Sequence, residues 1–216
     1  MKKDILLLGA PGAGKGTQAK FLEKEYNLIK IDTGNIIRNT IKEATELGMQ
    51  AKKYVEQGKL VPDELVINLI VNTAKQIKQQ QKNFLLDGFP RNLQQAKALE
   101  ENKLFLDLVI EIESSAENLI ERISNRRLCT NKNCGGVFNL KSNKSKQENI
   151  CDFCGSSLYQ RDDDKEELIK TRFETYLKET LPLSEFYSKQ NKLIKIDGNK
   201  DVEEVWESIK KYLSKN

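Results

Sequence analysis

The chain predicts an α/β fold: a doubly wound, parallel five-stranded sheet with one helical insertion and one small cysteine-rich insertion. Three observations predict it. Short apolar runs alternate with helix-length amphipathic stretches, the pattern of strands feeding crossover helices. The first run, Ile5-Leu6-Leu7-Leu8, passes directly into Gly-Ala-Pro-Gly-Ala-Gly-Lys-Gly-Thr at residues 9–17, a glycine-rich turn of the P-loop kind that opens a helix. Two stretches, 33–59 and 128–160, break the alternation and read as insertions.

Taken in order, residues 5–8 form the first strand, and the turn after them points several backbone N–H groups at one spot. The helix N-terminus adds partial positive charge there, so the spot suits phosphate. Gly9, Gly12, Gly14 and Gly16 would let the backbone take positive φ and approach an anion closely. Lys15 supplies a mobile cation to the outer phosphates. The hydroxyl stands at Thr17, one place later than the metal-binding hydroxyl of the general pattern, and Gly16 intervenes. That disfavours a GTPase or motor ATPase.

Further strands are expected at 28–31, 84–86, 106–112 and 193–196. The runs at 84–86 and 193–196 lack clean alternation, as expected of strands covered on both faces. Residues 33–59 have a helical pattern without a strand. Residues 63–79 form an amphipathic helix, with Leu65, Leu69, Asn72 and Gln76 at helical spacing and Val66, Ile70 and Ile77 widening the apolar face. A last helix is expected over 201–213. There is no internal repeat, and a disordered tail is not expected.

At 216 residues the chain can bury a substantial core, and its 38% hydrophobic and 31% charged content fits an ordered globular protein. No apolar run approaches the roughly 20 residues of a membrane span. Met1-Lys2-Lys3-Asp4 leads straight into a strand without room for a signal peptide, so a cytoplasmic location is expected. A net charge of +4 suits anionic small molecules without indicating nucleic acid. With no histidine in the chain, Ser-His and Cys-His nucleophile chemistry and histidine metal ligation are excluded.

All four cysteines, Cys129, Cys134, Cys151 and Cys154, lie in the second insertion, and Gly135 and Gly155 each follow a pair. Two such knuckles can set four thiolates around one zinc, which is how a short segment without a large core gains stability. Iron is the competing metal, and reduced metal-free thiols are the bland alternative. Basic residues of this insertion (Lys132, Lys141, Lys144, Lys146) admit a nucleic-acid reading, but Phe138 and Phe153 make a thin stacking platform.

Residues 9–17 in their Gly-Lys-Gly-Thr form, Asp32-Thr33-Gly34-Asn35-Ile36-Ile37-Arg38, Gly58-Lys59-Leu60-Val61, Asp87-Gly88-Phe89-Pro90-Arg91, Arg126-Arg127 and Arg161-Asp162-Asp163-Asp164 together resemble the adenylate kinase family, in its form with a long zinc-binding lid. The resemblance runs almost end to end. It implies a core of 1–32, 62–127 and 161–216, an AMP-binding module at 33–61 and a lid at 128–160. It also implies reversible magnesium-dependent phosphoryl transfer from ATP to AMP, giving two ADP, by a monomer with no nucleic-acid or membrane partner.

The roles it implies are specific. Lys15, Arg91, Arg126, Arg161 and Arg172 would act on the transferring group. Gly12, Ala13, Gly14, Lys15, Gly16, Thr17, Arg122, Arg126, Val137, Phe138 and Lys200 would hold ATP. Thr33, Arg38, Lys59, Leu60, Val61, Gly88, Phe89, Pro90, Arg91, Gln95, Arg161 and Arg172 would hold AMP, with Thr33 and Gln95 favouring adenine. Asp87 would orient magnesium through water, structural zinc would sit on the four cysteines, and Asp163 and Asp164 would tie down the lid arginines. A phosphoryl transfer needs positioning and positive charge more than a protein nucleophile, and planar guanidinium groups suit it. Three departures stand out: Asn35 where the family commonly has Asp, Phe138-Asn139 where it commonly has Tyr-His, and no proline-containing segment in 139–150.

Overall fold

The computed structural model describes residues 3–131 and 134–214; Lys132 and the chain's first two residues lie outside them. Its strands in chain order are β1 (Ile5–Leu8), β2 (Ile29–Asp32), β3 (Phe84–Asp87), β4 (Leu108–Glu113), β5 (Arg126–Cys129), β6 (Val137–Asn139), β7 (Leu158–Tyr159) and β8 (Leu193–Asp197). The helices are α1 (Lys15–Tyr26), α2 (Thr33–Lys42), α3 (Glu46–Val55), α4 (Asp63–Gln79), α5 (Leu93–Glu101), α6 (Ala116–Ser124), α7 (Glu166–Thr175), α8 (Pro182–Ser188) and α9 (Val202–Leu213). A π-helical turn, Tyr176–Thr180, joins α7 to α8.

The main sheet has five parallel strands in the order β2-β3-β1-β4-β8. Side-chain alternation along β1 splits the core in two. Leu6 and Leu8 pack with Ile31, Leu86 and the buried faces of α4 and α5, while Ile5 and Leu7 pack with Leu85, Ile110, α1 and α9. Both faces of β1 are fully buried, as the unbroken apolar run requires.

The strands sit slightly further along the chain than the apolar runs suggested. β2 starts at Ile29, not 28, and β4 at Leu108, not 106. Asp107 lies before the strand, its carboxylate accepting Asp4 N at 2.7 Å. Four strands also end on an acid beyond the apolar run: Asp32, Asp87, Glu113 and Asp197. These acids lie at the carboxyl ends of a parallel sheet, where ligands of open α/β folds bind. On α4 the buried stripe is Val66, Ile70, Val71, Ala74 and Ile77, while Asn72 and Gln76 face solvent. The axis of the apolar face is therefore rotated from the one read by spacing.

The first insertion is the helix pair α2 and α3. A Cβ on Gly48 would stand 2.0 Å from Thr40 O, so the two helices approach at a point only glycine allows. The second is a three-stranded antiparallel sheet, β6-β5-β7. No helix among the described residues is long and apolar enough to cross a membrane.

Candidate active site

The turn between β1 and α1 is built as its glycines allow. Gly9 (φ 143°), Gly12 (φ 85°) and Gly14 (φ 96°) are left-handed, and a Cβ on Gly9 would strike Ile112 O at 2.5 Å. Gly16 differs: it is helical, and a Cβ there would meet Asp87 Oδ2 at 3.9 Å. No side chain caps α1, so its N-terminus keeps backbone donors for a ligand. Lys15 Nζ donates to Gly9 O (2.7 Å) and Ala10 O (2.9 Å), folding back over the turn. Burial pulls its pKa down to about 8; Asp87 opposes the shift, and Arg91, Arg172 and Arg126 add to it.

Those arginines come from distant parts of the chain. Arg126 starts β5, Arg172 lies on α7, and Arg91 follows β3. Asp164, fully buried, accepts Arg126 Nε (2.8 Å) and Nη2 (2.5 Å) and also Arg172 Nη1 (2.8 Å). Asp163 adds a second carboxylate 3.3 Å from Arg172. Arg161 is pulled down to about 10 by burial and by the cations Arg38 and Arg126. Its buried Nε has no hydrogen-bond partner among the described residues. Cations held this close repel one another, and a bound anion would relieve that repulsion.

Arg91 is itself framed by backbone and side chain. Its Nε donates to Gly88 O (2.8 Å), its N–H to Gln95 Oε1 (2.7 Å), and its carbonyl accepts Thr180 Oγ1 (2.7 Å). Gly88 takes φ 85°, and a Cβ there would press on Arg91 Nη2 at 3.2 Å. Phe89 and Pro90 are buried beside it. Gln95 spends its other end on Asp63 (Nε2 to Oδ1, 2.6 Å), so both polar ends are engaged within the protein. Thr33 is buried and its hydroxyl lacks a partner among the described residues. Lys59 is exposed with Nζ on Gln57 Oε1 (2.9 Å), Leu60 is half-buried, and Val61 packs against the main core.

On the other side of the P-loop, Arg122 donates to Gly198 O (2.7 Å) and Lys200 O (3.5 Å), which brings α6 to the loop after β8. Val137 is half-buried on β6. The Phe138 ring, however, faces inward, buried with Cys129 and Cys151 and 5.5 Å from the Phe153 ring. What it can offer a nucleotide is therefore backbone.

The four cysteine sulfurs lie within 4.8 Å of one another, with Cys129–Cys154 at 3.4 Å and Cys134–Cys151 at 3.6 Å, all unbridged. A tetrahedron of Zn–S bonds of about 2.3 Å has edges of about 3.8 Å, so this donor set fits a four-thiolate ion. Gly136 is buried against it: a Cβ would stand 3.0 Å from Cys151 Sγ.

Lys30 stands in the site outside the matched runs, and Asp32 stands there at the head of one, with no role assigned to it. Asp32 caps α2, accepting Asn35 N at 2.9 Å. An acid directly before a helical run was the available signal. Lys30 pairs with Asp32 two residues on (2.9 Å), but its contact with Asp87 (3.2 Å), remote in sequence, left no local signal.

A model of the family described as "Adenylate kinase" matches residues 7–192. The chain is 46% identical to "Adenylate kinase" of Methanosarcina barkeri over 98% of this chain and 99% of the relative. It is 48% identical to "Adenylate kinase" of Methanocella arvoryzae, over 98% of both chains. "Adenylate kinase" of Thermoanaerobacter sp. is 48% identical over 97% of both. With a P-loop, a crowd of arginines and a four-cysteine ribbon already in place, the chain belongs to the adenylate kinase family.

Proposed function

We propose that this ATP:AMP phosphotransferase works by closing five arginines and Lys15 around a phosphoryl group passing between two nucleotides. The carrying observation is the crowd itself: cations that burden one another in the free protein, one of them with a buried, unpartnered N–H. The P-loop residues Gly12, Ala13, Gly14, Gly16 and Thr17 present N–H groups to the ATP phosphates, and Lys15 leaves its carbonyls to follow the charge. Arg122, with the backbone at Val137, Phe138 and Lys200, flanks the ATP adenine.

On the other side Arg38 and Arg91 hold the AMP phosphate, and Thr33 supplies its free hydroxyl to the adenine. Gln95 joins it only by exchanging its bond to Asp63 or Arg91. Gly88, Phe89 and Pro90 fix the backbone under Arg91, and Lys59, Leu60 and Val61 border the AMP pocket. Arg126 and Arg172, anchored through Asp163 and Asp164, and Arg161 beside them spread the charge of the transferring group over preorganised donors. Two modules meeting over the cleft exclude water, so the acceptor is AMP and hydrolysis is avoided.

Asp87 stands at the start of α1, where it can orient waters on magnesium, which neutralises phosphate charge when bound. Zinc on the four cysteines would be structural, because a closed thiolate set offers no open position. Unbridged thiols suit the cytoplasm. Among the described residues the ribbon exposes two aromatics, Phe153 and Tyr159, a thin stacking platform, and Lys141 pairs with Glu121, which supports a ribbon without a nucleic-acid role. The deciding experiment is a coupled assay for ADP, offering AMP, UMP, CMP and GMP in turn, with ATP or GTP as donor. Turnover confined to AMP supports the reading; preference for another monophosphate overturns the acceptor assignment.

A further inference from the structure

A line of polar contacts crosses the carboxyl end of the sheet, from the metal-side carboxylate to an arginine of the AMP side. Lys30 Nζ lies 3.2 Å from Asp87 Oδ2 and 2.9 Å from Asp32 Oδ2. Asn35 Nδ2 donates to the same Asp32 oxygen at 2.8 Å. Arg38 Nη2 donates to Asn35 Oδ1 at 2.6 Å. The other Asp32 oxygen caps α2. Strand pairing sets the start of this line, since Asp32 and Asp87 are register partners on β2 and β3.

The chemistry of the line is directional. Asn35 must turn its amide nitrogen to the carboxylate and its oxygen to the guanidinium. An aspartate at this position could accept from Arg38 but could donate nothing to Asp32. It would set two carboxylates at hydrogen-bonding distance, so one would have to swing away or take up a proton. The departure noted in the sequence thus has a counterpart three residues earlier. The acid stands at 32, neutralised by Lys30, and the amide stands at 35.

We propose that Lys30, Asp32 and Asn35 are positioning residues that aim Arg38 at the phosphate of AMP, and that the acid at 32 and the amide at 35 are a matched pair. The proposal rests on the reading of Arg38 as a phosphate ligand. Because Asn35 is exposed, the relay sets geometry and not bulk stability, and its effect is a few-fold change in AMP saturation.

The test is steady-state kinetics with AMP and ATP varied separately, plus thermal melting, on Asn35→Asp, Asn35→Ala, Arg38→Ala and the swap Asp32→Asn with Asn35→Asp. Asn35→Asp should raise the half-saturating AMP concentration about fivefold, and Asn35→Ala about threefold, with ATP saturation unchanged. The swap should recover AMP saturation to within about twofold of wild type, because asparagine caps a helix as well as aspartate and can donate to the new acid.

The relay is overturned if both Asn35 variants keep wild-type AMP saturation, if ATP and AMP saturation shift equally, or if a folded swap is as impaired as Asn35→Asp alone. Should the swap fail to fold, Asn35→Ala alone decides. Arg38→Ala separates the two layers. No rise in half-saturating AMP there defeats the phosphate role itself, whereas a large rise beside silent Asn35 variants defeats only the relay.

Discussion

The two insertions are ordered in opposite ways. The helical pair buries Ile37 and Ala51, with Ile36, Ile41 and Val55 alongside, in the same apolar cluster as β1 and α4. Its order is an extension of the main core. The ribbon has its own cluster, of which Cys129, Phe138 and Cys151 are the buried members and Cys134 and Leu158 the neighbours. So little apolar surface is a weak tie for a three-stranded sheet, and the four sulfurs converge within it. One module is stabilised by burial; the other, in the function proposed above, by coordination.

Metal removal breaks the comparison most strongly. Structural zinc in small peptides is worth on the order of 10–16 kcal/mol. Metal analysis should find about one equivalent per chain, and stripping it should collapse amide-exchange protection in β5, β6 and β7 while α2 and α3 stay protected. The melting temperature should fall more than the turnover measured at low temperature. Because thiolates must be deprotonated to bind, the metal should also leave as pH falls. Metal-free protein as purified, with no change in melting on adding zinc, would mean that packing alone holds the ribbon.

Next in size is Arg91→Ala, which touches neither module's stabilisation. It should lower turnover by about 10³-fold, the range of arginines that stabilise a transferring phosphoryl group. A loss confined to ATP saturation would show that Arg91 serves the wrong nucleotide in this account. Ile37→Ala sharpens the contrast from the other side. It should cost about 2–5 kcal/mol of global stability, because the cavity opens in the shared core. If denaturation shows the loss confined to α2 and α3, the module is independent after all.

The smallest and most diagnostic effect concerns Lys15, between the modules. Lys15→Met should leave both folded and lower turnover by about 10²-fold or more. In the wild type, with its pKa near 8, the free enzyme loses the needed proton as pH rises. kcat/KM for ATP should then fall about tenfold per pH unit above that point, while kcat holds to higher pH because bound phosphates retain the proton. The stability sign is opposite. The folded value lies below the ordinary lysine value of 10.5, so the unfolded chain binds more protons between the two and this group's contribution rises with pH there. A flat kcat/KM profile from pH 7 to 9.5 would show that Lys15 keeps its charge.

What the sequence by itself determined is whatever local spacing carries. A strand, a glycine turn and a lysine within the eleven positions from Ile5 to Lys15 make one kind of loop. Four cysteines in two short knuckles can reach one point, and alternating apolar runs demand a covered parallel sheet. The tertiary structure decided what depends on partners remote in the chain. The inward Phe138 ring, the doubly engaged Gln95 and the rotated face of α4 are packing outcomes, set by neighbours that no local pattern names. The bridge from Asp87 through Lys30 and Asp32 to Arg38 exists only because β2 and β3 pair in one register. A one-residue slip would turn Lys30 and Asp32 together to the other face of the sheet and leave Asp87 without its lysine.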